Sequence, residues 1–387
     1  MAGQSPRLQV AQPPRARLAY VVNALNPGGT EKLVVEMSLA FAEQFELMVL
    51  CLDEPGAWAA QLRARGIPVH CLWRQPGLDI AMPWRLSKYF RRARTQIVHA
   101  HQCTPWFYCA LSRIFYSAPR LLLEEHGRFY PEVHNRAREW VNRFLIRPLT
   151  HRFVAVSSDI RTRLRKYEGL TGAPIDVVYN GVAPELPLSS DARALLRAEL
   201  GIGPQDFVVG TVGRFDPIKN LPMLVESLAR ARGRESRLRG LLVGDGPVFS
   251  TIRSQIAAAG LQEHVHATGF RSDARALLQC MDLFVLASFS EGTSMALLEA
   301  MAARVPVAVT AVGGNPEIVK AGETGWVVPS GAVGALADVF VEAAANSQIG
   351  ERYAAAGRRR FDDLFTFERM IGAYLQRYQQ LLAQGAQ

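Results

Sequence analysis

Short apolar runs alternate with segments of helical periodicity along almost the whole chain, and this alternation restricts the fold more than any other feature. In the first half, seven runs rich in β-branched and aromatic residues predict short buried strands. They are Leu18–Val22, Leu47–Cys51, Pro68–Leu72, Ile97–Ala100, Arg120–Glu124, Phe153–Val156 and Ile175–Tyr179. The segments between them, such as Glu31–Gln44, have apolar residues about 3.6 positions apart. Strands and helices in alternation predict a parallel sheet covered by helices on both faces.

The alternation stops between Ala183 and Pro204, which is rich in proline and glycine, and then starts again. Six further runs predict a second sheet of the same type: Phe207–Val212, Arg239–Val243, Val265–Thr268, Leu283–Ala287, Val305–Thr310 and Trp326–Val328. We therefore predict an α/β protein with two doubly wound, Rossmann-like domains that face a central cleft. The first covers residues 1–185 and the second residues 186–365. An amphipathic helix in 366–387 is expected to pack back on the first domain. Ligands of such sheets bind beyond the carboxyl ends of the strands, which places the expected site in the cleft.

Composition excludes several classes of protein. Charged residues make up only 20% of the 387, which argues against a disordered chain. No run approaches the roughly 20 apolar residues that span a bilayer, and the first residues lack the apolar core of a secretory signal. The five cysteines contain no CxxC pair, so neither a disulfide scaffold nor a zinc ribbon is indicated. A cytoplasmic location is expected.

The net charge of +9 lies entirely in the first half. Residues 1–185 carry 24 Lys and Arg against 15 Asp and Glu, whereas residues 186–387 carry 20 of each. The densest segment is Trp84–Arg94, and a second basic segment, 126–152, has aromatic residues within it (Phe129, Tyr130, Trp140, Phe144). Basic residues with aromatics fit an anionic membrane surface or nucleic acid. A solvated basic face without any partner fits them as well.

The strongest chemical motif is Ser290–Ala302, which follows a predicted strand and opens a helix with Ser294 as the expected N-cap. Free backbone N–H groups at such a helix start can bind a phosphate. Glu291 lies in the loop and Glu299 about one turn into the helix, so the two carboxylates can face one ligand from different sides. A carboxylate there can accept hydrogen bonds from sugar or ribose hydroxyls.

Two basic residues follow the strand Phe207–Val212. Arg214 and Lys219 lie five positions apart across a turn and can neutralise a diphosphate, which would stabilise a leaving diphosphate without a metal. No two aspartates are spaced as D-x-D, a pair that would hold Mn²⁺ or Mg²⁺ on a diphosphate. We therefore expect no metal and no cofactor.

Two smaller motifs end strands of the first half. Gly28 and Gly29 form a glycine turn before a helix, suited to close approach of a phosphate, although the dinucleotide pattern GxGxxG is absent. His126 follows the strand Arg120–Glu124 and is placed to contact a ligand. His99 and His101 end another strand and are weaker candidates.

Together these motifs resemble the retaining glycosyltransferases of family GT4, which have the GT-B fold. The likeness extends from about Ala19 to about Arg377. Its most specific element is the pair Glu291 and Glu299 within EGTSMALLEAMA, followed by GRFDPIKN and GGTE. One departure is Arg304, at a position where the family usually has glycine, so the turn into the next strand is expected to differ slightly.

The resemblance implies roles for individual residues. Arg214 and Lys219 would hold the donor diphosphate, with Gly28 and Gly29 approaching it from the first domain. Glu299 would bind the ribose. Glu291 would contact the donor sugar, and His126 would lie near the reacting centre. The backbone of Gly292, Thr293, Ser294 and Met295 would complete the donor site. The resemblance thus implies four catalytic residues and no metal. The four are His126, Glu291, Arg214 and Lys219.

The function implied is transfer of a sugar, with retention, from a nucleotide diphosphate sugar to a hydroxyl group. A UDP-sugar is favoured over a GDP-sugar. The basic first half favours a lipid-linked or surface-polysaccharide acceptor, and peripheral contact with the cytoplasmic face of the inner membrane. Alternatives are a soluble transferase making a small glycoside, a sugar-nucleotide epimerase of the same fold, and a non-catalytic sugar- or nucleic-acid-binding protein. No nucleic-acid motif is recognisable, and no such partner is expected.

Overall fold

The computed structural model describes residues 15–127, 134–184 and 186–384. It contains two parallel sheets. The strands β1 to β7 of the first are Ala16–Val22, Phe45–Cys51, Val69–Cys71, Ile97–His101, Arg120–Glu125, Arg152–Ala155 and Ile175–Val177. They lie in the order β3-β2-β1-β4-β5-β6-β7. Because β4 joins β1 on the side away from β2, the strand order reverses there, and the crevice for a ligand opens at that point.

The second sheet has six strands. These strands, β8 to β13, are Phe207–Val212, Leu238–Val243, Val265–Ala267, Leu283–Leu286, Val307–Thr310 and Trp326–Val328. Their order is β10-β9-β8-β11-β12-β13, so the direction reverses between β8 and β11. All thirteen predicted strands are present, with ends that differ by at most three residues. The prediction of two doubly wound α/β domains is confirmed.

Fifteen α-helices occur in the described ranges. In chain order, α1 to α15 are Gly29–Phe41, Ala59–Ala64, Met82–Arg92, Cys103–Ser112, Arg136–Val141, Ser158–Tyr167, Ser190–Glu199, Leu221–Arg232, Phe249–Ala258, Ala274–Gln279, Met295–Ala302, Asn315–Ile318, Val333–Ala345, Ser347–Leu364 and Phe367–Ala383. A π-helical turn, Asn142–Ile146, continues α5. The helices cover both faces of each sheet, so the strands are buried on both sides and contain few polar residues.

The chain passes between the two sheets twice. Val182, after β7, forms a bridge with Thr366, just before α15, so the two crossing segments lie side by side. Beyond that point α15 packs on the first sheet. Its Tyr374 and Tyr378 are fully buried in the same core as Tyr20 and Phe41. Edge-to-face contacts of aromatic rings hold this helix on the sheet, with 5.3 Å between the ring centroids of Tyr378 and Phe41.

The turn after α11 explains why glycine is usual at position 304. Arg304 has a φ of 57°, in the left-handed region that costs a residue with a side chain roughly 1–2 kcal/mol. The turn into β12 therefore has the backbone conformation that glycine adopts freely.

Candidate active site

The carboxyl ends of the two sheets face each other across the cleft. The loop after β11 approaches the loop after β5 so closely that a β-carbon on Gly292 would lie 2.1 Å from the carbonyl oxygen of His126. A β-carbon on Gly29, at the start of α1, would lie 3.8 Å from Met295 Cγ. The glycine turn and the start of α11, predicted as parts of one site, are therefore brought together.

The start of α11 has free backbone donors. Ser294 is its N-cap, as predicted, and its side chain accepts a hydrogen bond from the N–H of Leu297 at 3.5 Å. The preceding loop is held from the first domain, because Thr293 Oγ1 donates to the carbonyl of Val156 and Asn180 Nδ2 donates to the carbonyl of Thr293 at 3.1 Å. Such a helix start is suited to binding a phosphate.

Lys219 and Glu291 meet in the second domain. The Lys219 ammonium lies 2.7 Å from Glu291 Oε1, and the hydroxyl of Ser288 donates to the same oxygen at 2.6 Å. Asp216 caps the short turn Pro217–Lys219 and so fixes the direction of the lysine. The Glu291 side chain is only 9% exposed, so this ion pair is shielded from water on most sides.

Arg214 lies at the same sheet edge but is open to solvent. Its guanidinium donates to Asp216 at 2.5 Å, and 64% of its side chain is exposed. Its charge also reaches the first domain. Burial raises the pKa of Glu31, in the first turn of α1, and the charge of Arg214 partly offsets that rise.

Glu299 is not a solvated helix residue. Its side chain is 11% exposed, and its Oε1 lies 2.7 Å from the ammonium of Lys32, on α1 of the first domain. The guanidinium of Arg275, on α10, contacts the same oxygen at 3.0 Å and lies 3.8 Å from Glu36. A carboxylate predicted to bind ribose is thus held by cations from both domains.

His126 is more buried than its predicted role suggests. Only 4% of its side chain is exposed, and its Nε2 shares a hydrogen bond with His101 Nδ1 at 3.1 Å. Beneath it lies the buried carboxylate of Glu124. Its Oε2 is 3.0 Å from His99 Nε2, 3.1 Å from His101 Nδ1 and 3.6 Å from His126 Nε2. The three histidines and Glu124 therefore form one polar cluster inside the first domain.

The cluster extends to the C-terminal helix. His99 Nδ1 shares a hydrogen bond of 2.8 Å with the hydroxyl of Tyr378, which in turn lies 3.2 Å from the hydroxyl of Tyr20. Burial lowers the pKa of His99 and lowers that of His101 to about 4, so both imidazoles are neutral at pH 7. Burial alone would raise the pKa of Glu124, but the surrounding imidazoles hold it well below its usual value.

The described part of the chain contains a group of possible metal ligands. It consists of His99, His101 and Glu124, whose ligand atoms lie within 4.8 Å of one another. The two imidazoles stack with 4.1 Å between their centroids and 26° between their planes. An imidazole binds a metal in the plane of its ring, so rings stacked in this way cannot both direct a lone pair at one ion. The geometry suits a hydrogen-bonded cluster better than a metal site.

Sequence reasoning did not predict one further set of contacts between the domains. Glu317 of the second domain accepts hydrogen bonds from the N–H groups of Ser158 and Asp159, both at 2.8 Å, at the start of α6 in the first domain. Tyr179 donates to the same carboxylate at 3.0 Å. A carboxylate at a helix N-terminus is favourable, so this contact joins the domains. The sequence feature that could have indicated this contact is Gly313 and Gly314, which precede Glu317 after a strand. A plain turn explains such a pair of glycines equally well.

Helical spacing within Trp84–Arg94 predicts that Arg85, Lys88 and Arg92 share one stripe, and the structure differs from this prediction at Arg85. Arg85 does not point to solvent with Lys88 and Arg92; it turns inward and pairs with the buried Asp79. Trp84 remains exposed beside Lys88, whose ammonium lies 3.4 Å from the centre of the indole ring. The exposed apolar side chains of Trp73, Leu78 and Ile80 lie in the loop that leads into this helix. We call Trp73, Leu78, Ile80, Trp84, Lys88, Arg92 and Arg94 the α3 surface.

Trp140 and Phe144 of the second basic segment are exposed, whereas Phe129 and Tyr130 lie outside the described residues. None of the helices in the described ranges combines the length and the apolar character needed to cross a bilayer.

Two family models match consecutive parts of the chain. Residues 27–186 match Glycosyltransferase Family 4, and residues 192–360 match Glycosyl transferases group 1. The fold and the paired motifs define a glycosyltransferase with two Rossmann-like domains. The chain belongs to glycosyltransferase family GT4 and has the GT-B fold, which confirms the resemblance.

Individual relatives are more distant. The chain is 25% identical to the N-acetyl-alpha-D-glucosaminyl L-malate synthase of Bacillus anthracis over 79% of its own length and 80% of that protein. It is 29% identical to the D-inositol 3-phosphate glycosyltransferase of Mycobacterium tuberculosis over 49% of its length and 40% of that protein. The fold is similar to that of Anabaena HepE, whose structure contains UDP, with a TM-score of 0.85, 22% identity, and coverage of 94% of this chain and all of that one.

Proposed function

We propose that the protein transfers a sugar, with retention of configuration, from a nucleotide diphosphate sugar to a hydroxyl group of a lipid-linked or surface-polysaccharide acceptor. As the donor we favour a UDP-sugar over a GDP-sugar. The observation that carries the proposal is the meeting of a capped helix start, two carboxylates and several cations in one cleft. Arg214, Lys219, Glu291 and Glu299 all lie at the carboxyl ends of strands or just beyond them. This set of groups is complementary to a diphosphate with a sugar at each end.

The donor would lie along the second domain. The N–H groups of residues 292–295, with Arg214 and Lys219, would bind the diphosphate, and Glu299 would accept hydrogen bonds from the ribose hydroxyls. HepE, similar in fold, has been crystallised with UDP and with UDP-glucose, which supports a uridine nucleotide. The cations would stabilise the charge that develops on the departing diphosphate.

The acceptor hydroxyl would approach from the first domain, where His126 lies. It would attack the anomeric carbon on the face from which the diphosphate leaves. The bond from that carbon to the phosphate oxygen breaks, a bond to the acceptor oxygen forms, and the departing phosphate oxygen takes the acceptor proton. No metal is needed in this scheme, because Arg214 and Lys219 balance the diphosphate charge.

A thermal-shift screen with UDP-, GDP- and ADP-sugars tests the donor. A ligand that binds only the folded state raises the unfolding temperature. The donor nucleotide can therefore be identified from the size of this rise, without an acceptor. We expect UDP and a UDP-sugar to give the largest rise. An equal response to all three nucleotides, or none, would contradict the assignment of this cleft as a nucleotide-sugar site.

The α3 surface supports an acceptor at a membrane. Exposed aromatic and aliphatic side chains lie beside exposed basic ones, a combination that binds the headgroup region of anionic bilayers. Each basic side chain near such a surface contributes about 1 kcal/mol, and salt weakens the effect.

Co-sedimentation with vesicles that contain anionic lipid, at low and high salt, tests this contact. We expect the wild type to sediment at low salt and a variant with Lys88, Arg92 and Arg94 changed to Gln to stay in the supernatant. A matched variant with Arg253, Arg352 and Arg359, exposed on the second domain, changed to Gln should sediment as the wild type does. Wild-type protein that stays in the supernatant at low salt rules out the membrane proposal.

A second candidate is transfer to a small soluble acceptor. The similarity to the enzyme named as an L-malate synthase, over four fifths of both chains, favours it. Product analysis with small hydroxy acids separates the two candidates. A sugar-nucleotide epimerase would instead convert its donor with no acceptor present.

A further inference from the structure

Among the described residues, the cations of the cleft that could meet a diphosphate, Arg214, Lys219 and Lys32, are each paired with a carboxylate. Arg214 is paired with Asp216 and Lys219 with Glu291. The third pair is Lys32 with Glu299, 2.7 Å apart. No motif assigns a role to Lys32, which follows the glycine turn in the first turn of α1.

Lys32 is the member of these pairs that crosses the cleft. Its side chain is 31% exposed and extends from the first domain to a carboxylate on α11 of the second. That carboxylate does not depend on Lys32 for its charge balance, because Arg275 contacts the same oxygen at 3.0 Å from its own domain. With Glu36 lying 3.8 Å from the same guanidinium, two cations face two carboxylates here, and Arg275 remains on Glu299 if Lys32 leaves.

We propose that Lys32 is a further donor-binding residue that leaves Glu299 when the nucleotide enters and then binds the donor's diphosphate. The inference rests on the proposed function of the cleft. Ribose hydroxyls donate to a carboxylate, so they replace the ammonium as partners of Glu299. The displaced ammonium is a strongly hydrated point charge on a flexible four-carbon stem, so it can follow an anion that enters the cleft.

The donor's diphosphate would bring such an anion close to Lys32. The start of α1 carries Gly29, whose position lies against Met295 at the start of α11, where the diphosphate would bind. Lys32 is one helical turn further along α1. Charge neutralisation from the first domain would then accompany closure of the cleft on the donor.

The rival interpretation is that Lys32 only joins the domains through Glu299. The two interpretations predict opposite results for its removal. If Lys32 only blocks the ribose site, its loss frees Glu299 and strengthens binding of every nucleoside. If Lys32 binds the diphosphate, its loss weakens binding only of ligands that carry phosphate.

Titration calorimetry with UDP and with uridine separates these cases in wild type, Lys32→Met and Lys32→Arg. We expect Lys32→Met to lose about tenfold or more of its affinity for UDP and none for uridine, as removal of one charge-assisted contact predicts. Lys32→Arg should retain most of the UDP affinity. Lys166→Met, which removes an exposed lysine of the same domain that has no role in the proposed sites, should leave both affinities unchanged.

The inference is overturned if Lys32→Met binds UDP and uridine with the same ratio of affinities as the wild type, whether both dissociation constants are unchanged or both are smaller. That result would leave the nucleotide site intact. Wild-type protein that binds neither UDP nor GDP overturns the proposed function, and this inference with it.

Discussion

Gly292 lies at a close contact between the two domains, beside the proposed reaction centre. Its backbone conformation is open to alanine, since its φ is not among the positive values found in the chain. The obstacle to a side chain is steric. An added β-carbon would lie 2.1 Å from the carbonyl oxygen of His126 and 3.1 Å from Val156 Cγ2, and real β-carbons essentially never approach another atom within 3.0 Å.

Gly292→Ala should therefore separate the loops after β5 and β11 by about 1 Å. A displacement of that size between reacting groups costs about 10²-fold in rate. Stability should change little, because two domains can move apart by this distance without opening either core. The variant is thus expected to fold normally and to turn over its donor about 10²-fold more slowly.

The assay is release of UDP from the UDP-sugar identified by thermal shift, with a melting curve for each variant. Gly372→Ala, in α15, is the matched control, because a β-carbon there has no neighbour within 4 Å. Wild-type turnover in Gly292→Ala would refute the argument that this contact sets the geometry of the site. A large loss of melting temperature would show instead that the contact supports the fold.

Four further predictions follow from the same geometry. Lys219→Ala should lower turnover by about 10²-fold or more with a nearly unchanged melting temperature. Lys320→Ala, which removes an exposed lysine of the same domain, should leave turnover unchanged. Wild-type turnover in Lys219→Ala would contradict the assignment of Lys219 to the diphosphate. Activity should survive EDTA, and complete loss with rescue by Mn²⁺ or Mg²⁺ would contradict metal independence. Arg304→Gly should raise the free energy of unfolding, measured in urea titrations, by roughly 0.5–1 kcal/mol, because glycine adopts the left-handed φ of this position without strain. A loss of stability would contradict the argument that Arg304 is strained. Buried His101 has a folded pKa of about 4, below its unfolded value, so the unfolded chain binds more protons between about pH 4 and 6.5. Its contribution to stability should be complete above that window, fall by up to about 1.4 kcal/mol per pH unit as the pH drops through the window, and change no further below about pH 4; urea titrations that are flat with pH would disprove this.

Most of the fold was predictable because its signals are local. Each buried strand is a short apolar run between polar loops, and all thirteen runs form strands. The Ser294 cap was predictable for the same reason, because an N-cap depends on residues two or three positions away. The inward turn of Arg85 was not, since its partner Asp79 precedes the helix and is buried by other elements.

The site divides in a similar way. The positions of Glu291 and Lys219 at strand ends follow from the motifs, whereas the ion pair between Lys32 and Glu299 joins residues 267 positions apart. The histidine cluster depends on the strand order, because β5 pairs with β4 so that Glu124 lies opposite His101. Tyr378 joins that cluster because α15 packs on the first sheet.

The sequence by itself determined the two parallel sheets, the helix start that can bind a phosphate and the types of side chain at the strand ends. Those features arise from periodicity, capping and charge within a few residues, and they do not depend on the rest of the chain. Only the tertiary structure decided which charges pair, how deeply His126 is buried and where the domains touch. These outcomes depend on distances between residues far apart in the chain, and such distances exist only once both sheets have formed and the C-terminal helix has packed on the first of them.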